Sequence, residues 1–250
     1  MANLYEIVNF LDRELRTTEI PDYGGAHNGL QLQNGGEVNR VAVAVDASWE
    51  VIEKAVKQEA DLLVVHHGLF WQGVQMMTGG QYQKLKSAFD HGLAIYSSHI
   101  PLDVHPEWGN NALLASALGV SVDGSFLDWK GLELGQSGDW LGSWEDLLER
   151  VEEVVGPIIS SVKAQAEVGR LGIITGGAGS EVAAVKEAGI DTFLTGEGPH
   201  WSFPLAKELG LSVIHAGHYA TETFGVKKIG ELLTKNYNLE HEFLNVPTGL

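Results

Sequence analysis

The sequence predicts an α/β protein built of two related lobes, and three observations carry that expectation. Short apolar runs alternate with stretches of helical period. A segment in the first half can be laid over one in the second half without a gap. Histidines and carboxylates gather where apolar runs end, which is where open α/β sheets hold their ligands.

The elements follow in order. Leu4, Ile7, Val8, Leu11 and Leu15 stand at helical spacing. IPDYGGAHNGLQL, from Ile20, is rich in turn formers. VAVAV (41–45) reads as a buried strand. It is followed by SWEVIEKAVKQE, with Ser48 as N-cap and Val51, Ile52, Ala55 and Val56 as the apolar face. LLVV (62–65) runs into His66 and His67, and LAIYSS (93–98) runs into HIPLDVHP. NNALLASALG predicts a helix stopped at Gly119, and residues 120–145 look β-rich and irregular. Ser143 and Asp146 form a capping-box pattern before WEDLLERVEEVV, which Gly156 and Pro157 end. TGGAGSE (175–181) lacks the Lys-Ser/Thr of a phosphate-binding loop and reads as a tight strand-to-helix turn.

Residues 38–71 and 168–201 align at an offset of 130, with Val38/Val168, Arg40/Arg170, Asp61/Asp191, Gly68/Gly198 and Trp71/Trp201 identical. With one inserted residue downstream, His99 falls on His218 and Asp103 on Glu222. A duplication of this length predicts two α/β lobes, residues 1–125 and 126–250, the C-terminal segment being free to join the first.

Composition narrows the chemistry. There is no cysteine, so a metal would have to be held by His, Asp or Glu. Sixteen Lys and Arg against 33 Asp and Glu give a net charge of −17, which argues against a nucleic-acid partner. No apolar run approaches the roughly 18 residues of a membrane span. The start lacks the basic and apolar regions of a signal peptide, so a cytoplasmic protein is expected.

Three segments carry the candidate chemistry. Neighbouring side chains on a strand alternate faces, so His66 and His67 should point apart unless the backbone turns at Gly68. The plainer reading of the pair is a buried histidine bonded to a carbonyl beside a surface one. His99 and Asp103 flank Pro101, which argues for a loop rather than a helix. The plainer reading of Asp103 is a turn or a cap for the following helix. His218 and Glu222 share a face if a helix begins there. Together these residues suit Zn, Fe, Mn, Co or Ni. Two adjacent imidazoles suit a pair of divalent ions about 3.5–4 Å apart better than a single one. Glu197 aligns with His67 and is a candidate general base; His200 and Trp201 follow it. His27, His91, His105, His215 and His241 fit no such pattern.

HNGLQL, VVHHGLFW, HIPLDVHPEWGNNA, LTGE and AGHYATE, in this order and over nearly the whole chain, resemble the Nif-three-like family, the GTP cyclohydrolase I type 2 homologues. The resemblance implies two interlocked α/β lobes with a dinuclear metal site in the cleft between them, and a ring-shaped homohexamer. It implies His66, His67, Asp103, His218 and Glu222 as metal ligands, with His99 in a supporting role. The flanks of HNGLQL depart from the family pattern.

The combined expectation is a metal-dependent hydrolase acting on a nucleotide-like or cyclic amide small molecule. In it, His99 or Glu197 moves protons and Asp103 or Glu222 bridges the ions. The alternative is a non-catalytic, ring-forming metal-binding or partner-binding protein.

Overall fold

The computed structural model describes residues 1–250 except Val74. The chain divides into two compact units: residues 1–102 with 225–246, and residues 103–224 with 247–250. The boundary expected near residue 125 therefore lies at 102/103, and the C-terminal segment 225–246 returns to the first unit.

The first unit is organised on a five-stranded sheet in the order Glu240–Phe243, Arg40–Asp46, Leu62–His67, Ala94–Ser97 and Gly29–Leu32. The first four are parallel and the last pairs antiparallel. Unbroken apolar runs such as Val41–Val45 and Leu62–Val65 are wholly buried, as parallel strands covered on both faces require. One side packs on helix Trp49–Lys57 through Val51, Ile52 and Ala55, and Ser48 caps that helix by accepting from the Val51 N–H at 3.2 Å. Helix Leu4–Glu14 buries Leu4, Ile7, Val8 and Leu11, as its periodicity predicts. Helix Gly79–Asp90 buries only Ala88, which explains why the sequence gives it no apolar stripe.

The second unit holds a six-stranded sheet in the order Gly124–Trp129, Leu132–Trp140, Gly169–Ile173, Thr192–Thr195, Ser212–His215 and Ser160–Val162. Its three central parallel strands are flanked by antiparallel ones. Helix Trp144–Val155 opens with the Ser143/Asp146 capping box and ends at Gly156, and helix Asn110–Leu118 ends at Gly119 with φ 83°.

Strand register carries the duplication beyond sequence identity. Val41 pairs with Leu62 and Leu171 with Thr192, each shifted by the same 130 residues. Leu62 pairs with Ala94 and Thr192 with Ser212. The two aspartates at offset 130 also repeat their work: Asp61 Oδ2 accepts the Arg40 N–H at 3.1 Å, and Asp191 Oδ2 accepts the Arg170 N–H at 3.1 Å.

One local expectation is corrected. Residues Ile100–Asp103 form a short helix rather than a loop, because Pro101 sits in its first turn, where no amide donor is needed. The helix at His218 ends at Thr221, leaving Glu222 as its C-cap, before helix Thr223–Tyr237 begins.

Candidate metal centre

In the first unit, both His66 and His67 belong to strand Leu62–His67. Strict alternation would separate them, yet their ring centroids lie 4.7 Å apart. His66 is fully buried, and its Nδ1 is 2.9 Å from the Ser98 carbonyl. A carbonyl can only accept, so Nδ1 carries the proton and Nε2 presents the lone pair. The carbonyl-bonded histidine of the plainer reading is thus present, and that bond leaves the other nitrogen fit to ligate.

His67 and His99 follow the same logic with carboxylates. His67 Nδ1 donates to Asp46 Oδ1 at 2.9 Å, and His99 Nδ1 donates to Asp22 Oδ1 at 2.8 Å. A carboxylate behind an imidazole fixes its tautomer and orientation and raises its basicity toward a metal. Burial pushes the Asp22 carboxyl up, but the His99 ring, the Asn28 amide and the Tyr23 N–H outweigh it and hold the group below its ordinary value. Donor atoms of His66, His67 and His99 lie within 4.8 Å of one another. The Trp71 ring packs edge-on against His99 at 4.6 Å and His67 at 5.6 Å.

The loop 22–31 braces this cluster. Asn28 accepts the His99 N–H at 2.8 Å and donates to Asp22 Oδ2 at 2.8 Å, while the Ile100 N–H also reaches Asp22 Oδ2. Gln31 accepts the Leu69 N–H at 2.6 Å and donates to the Ala26 and His27 carbonyls. A Cβ at Gly68 would lie 2.3 Å from the Gln31 amide, so an alanine there would push this brace out of place.

The second unit brings together His218, Glu222 and Glu197. Glu222, 2% exposed, approaches His218 Nε2 with Oε2 at 3.2 Å, the expected shared face. Glu197 Oε1 accepts from His218 Nδ1 at 2.8 Å. Glu197 therefore holds the histidine, as Asp46 holds His67. Burial lowers the His218 pKa, but Glu222 and then Glu197 outweigh it and raise it to about 9. Asp103 Oδ1 accepts from Asn110 Nδ2 at 2.8 Å and Thr175 Oγ1 at 3.3 Å. His200 and Trp201 are exposed, Trp201 by 52%. His215 is buried, with Nδ1 3.1 Å from Ser160 Oγ, in keeping with a structural place.

Two glycines explain why the lobes differ at corresponding positions. Gly176 occupies the place of Asp46; with φ 71°, it sits where a Cβ would be 2.1 Å from Glu222 Oε1. Gly196 occupies the place of His66, where a Cβ would meet His218 Cα and the Gly176 carbonyl at 2.6 Å. The TGGAGSE turn thus makes room for the Glu222 carboxylate, and the Gly176 carbonyl accepts the Gly196 N–H at 2.8 Å and the Glu197 N–H at 3.0 Å.

The donor chemistry fits a transition metal. His66, His67, His99 and His218 each have Nδ1 tied to an oxygen, and in the second unit the Asp103 and Glu197 carboxylates are half-buried and that of Glu222 is buried. Asp22, Asp46, Asn110 and Thr175 were not singled out by sequence. Asp46 closes the run VAVAV, directly opposite His67 in register, and that strand-end placement is the one local signal it offers.

The fold and these side chains define a two-unit α/β protein with a histidine–carboxylate donor set suited to divalent metal. The chain belongs to the Duf34/NIF3 (NGG1p interacting factor 3) family, whose model matches residues 2–249. A Deinococcus radiodurans protein named GTP cyclohydrolase 1 type 2 homolog is 38% identical, over 98% of this chain and 94% of its own. Among solved structures, protein ybgI superimposes with a TM-score of 0.91 at 32% identity, over 100% of both chains. TTHA1606 from Thermus thermophilus superimposes with a TM-score of 0.88 at 34% identity, over 99% of this chain and 100% of its own.

Two predictions arise here. In the metal-free chain His218 is protonated below about pH 9. A cation bound at His218 Nε2 would have to displace that proton, so on that reading metal affinity should rise with pH up to about 9 and then level at this residue. Because the folded pKa lies above the unfolded value, the His218 contribution to metal-free stability is full below the unfolded pKa and fades as pH rises through about 9. Titrations with Zn2+ at several pH values, with proton release measured, check the first part. A flat profile between pH 6 and about 9 would contradict it. Second, Glu197→Gln should weaken metal affinity about ten- to a hundredfold, as loss of a carboxylate behind a ligating histidine does elsewhere. Calorimetric titration distinguishes this from a Glu197 that only moves protons, which would leave affinity unchanged.

Proposed function

We propose that the protein is a metal-dependent hydrolase that binds two divalent transition-metal ions, of Zn, Fe, Mn, Co or Ni, with His66 and His67 as ligands in the first unit and Asp103, His218 and Glu222 as ligands in the second. The observation that carries this reading is the tethering of the His66, His67 and His218 Nδ1 atoms by oxygen acceptors, which presents their Nε2 atoms for ligation. Bound ions would polarise a substrate oxygen and activate water.

The chain's own groups supply the rest. His99, oriented by Asp22, stands beside His66 and His67 with ring centroids 5.0 and 5.6 Å away, and is the group suited to move a proton at Nε2. Glu197 acts through His218 as a positioning carboxylate. The name carried by the relatives supports a nucleotide-like or cyclic amide substrate, such as a purine nucleoside triphosphate. A homohexameric assembly in the cytoplasm forms part of the same proposal, to be read from the mass in solution by light scattering.

The test is a panel of nucleotides and cyclic amides offered to metal-free protein, then to protein reloaded with Mn2+, Zn2+ or Fe2+. Turnover restored by metal and abolished by chelation supports the hydrolase. Tight metal binding with no turnover across the panel would favour a non-catalytic, partner-binding protein. Turnover insensitive to chelation would remove metal from the reaction.

A further inference from the structure

We infer that Asn110, backed by Thr175, is a positioning residue that turns Asp103 so that it meets a cation through one oxygen, Oδ2. The inference rests on the metal-binding reading above and concerns only the second unit. Asp103 ends the short helix Ile100–Asp103, and a tight loop returns the chain to helix Asn110–Leu118. That loop leaves no room at Gly109, where a Cβ would lie 2.5 Å from the Asp103 carbonyl. The first residue of the new helix is thereby held against the aspartate.

Asn110 is fully buried, and its Nδ2 donates to Asp103 Oδ1 at 2.8 Å. Thr175 Oγ1 lies 3.3 Å from the same oxygen. Thr175 is itself fixed: its N–H donates to Asn111 Oδ1 at 2.8 Å, and Asn111 Nδ2 donates to the Leu134 carbonyl at 2.8 Å. A carboxylate oxygen has two lone-pair sites; at Oδ1 the Asn110 amide takes one, and the Thr175 hydroxyl, whose single hydrogen is shared with Asn111 Oδ1 at 3.0 Å, faces the other. A cation is directed to Oδ2. Burying two asparagine amides is costly unless they are bonded, and a chain of bonds running from a strand carbonyl to one carboxylate oxygen gives them a defined orientation.

The test uses the full chain, metal-free, titrated with Co2+ and followed by its visible absorption and by calorimetry, with the melting temperature of the metal-free protein measured in parallel. Asn110→Leu keeps the volume and removes the donor; Thr175→Val keeps the shape and removes the hydroxyl. The expected result is a ten- to hundredfold weaker site for one Co2+ in Asn110→Leu, a smaller loss in Thr175→Val, and a changed absorption band in both. Should Asn110→Leu fail to fold, Thr175→Val carries the comparison alone. Unchanged affinity and band, with only a lowered metal-free melting temperature, would overturn the inference and leave a purely structural asparagine. Absence of Co2+ binding by the unsubstituted chain would instead overturn the metal-binding reading, and the inference with it.

Discussion

Glu222→Gln is expected to lower the metal content of the purified protein by at least one ion per chain. Glutamine has nearly the same shape as glutamate, so the side chain can still lie against Gly176, where there is no Cβ to displace it. What is lost is the charge. Glu222 is 2% exposed and its Oε2 lies 3.2 Å from His218 Nε2, so the substitution removes a buried anion that supports a histidine and that would attract a cation. The same substitution should bring the His218 pKa down from about 9, because Glu222 is the larger of its two carboxylate supports. Metal analysis by mass spectrometry reads the first effect and proton NMR of the metal-free protein reads the second. Unchanged metal content would take Glu222 out of the site, whatever the titration did.

Gly176→Ala is expected to damage both stability and metal binding. The backbone there has φ 71°, a conformation that costs an alanine about 1–2 kcal/mol. The new Cβ would also lie 2.1 Å from Glu222 Oε1, so the carboxylate must leave its place. Gly189→Ala is the control. Its φ is 84°, but nothing lies within 4 Å of an added Cβ. Both variants should melt lower, at about 2–4 °C for each kcal/mol in a chain of this size. Only Gly176→Ala should lose metal. Equal metal retention in the two variants would mean that Gly176 serves the turn and not the carboxylate.

Much of the fold is legible in the sequence because its signals are local. The apolar runs at 41–45 and 62–65, the Ser48 cap and the Ser143/Asp146 box each declare an element within a few residues, and each is found. Helix Gly79–Asp90 declares nothing, since it buries a single alanine. Pro101 misleads because proline is excluded from helix interiors but welcome in a first turn, and a four-residue helix is all first turn.

The candidate ligands were legible for the same reason. Histidines and carboxylates at the ends of apolar runs stand out in a chain with no cysteine. Their partners were not legible. Asp22 meets His99 across 77 residues of chain, and Thr175 meets Asp103 across 72. No periodicity encodes such pairs; packing of the elements makes them.

The sequence by itself determined the α/β class, the duplication and the residue types offered to a metal, because period, charge and repeat offset are properties of the chain alone. Tertiary structure decided how those residues are used. Register brings Asp46 behind His67, a turn brings Glu197 behind His218, and two glycines close the second lobe's counterparts of Asp46 and His66. The physical reason is the same in each case. An imidazole is oriented by whatever oxygen lies within hydrogen-bond reach of Nδ1, and that oxygen is chosen by packing in space rather than by position along the chain.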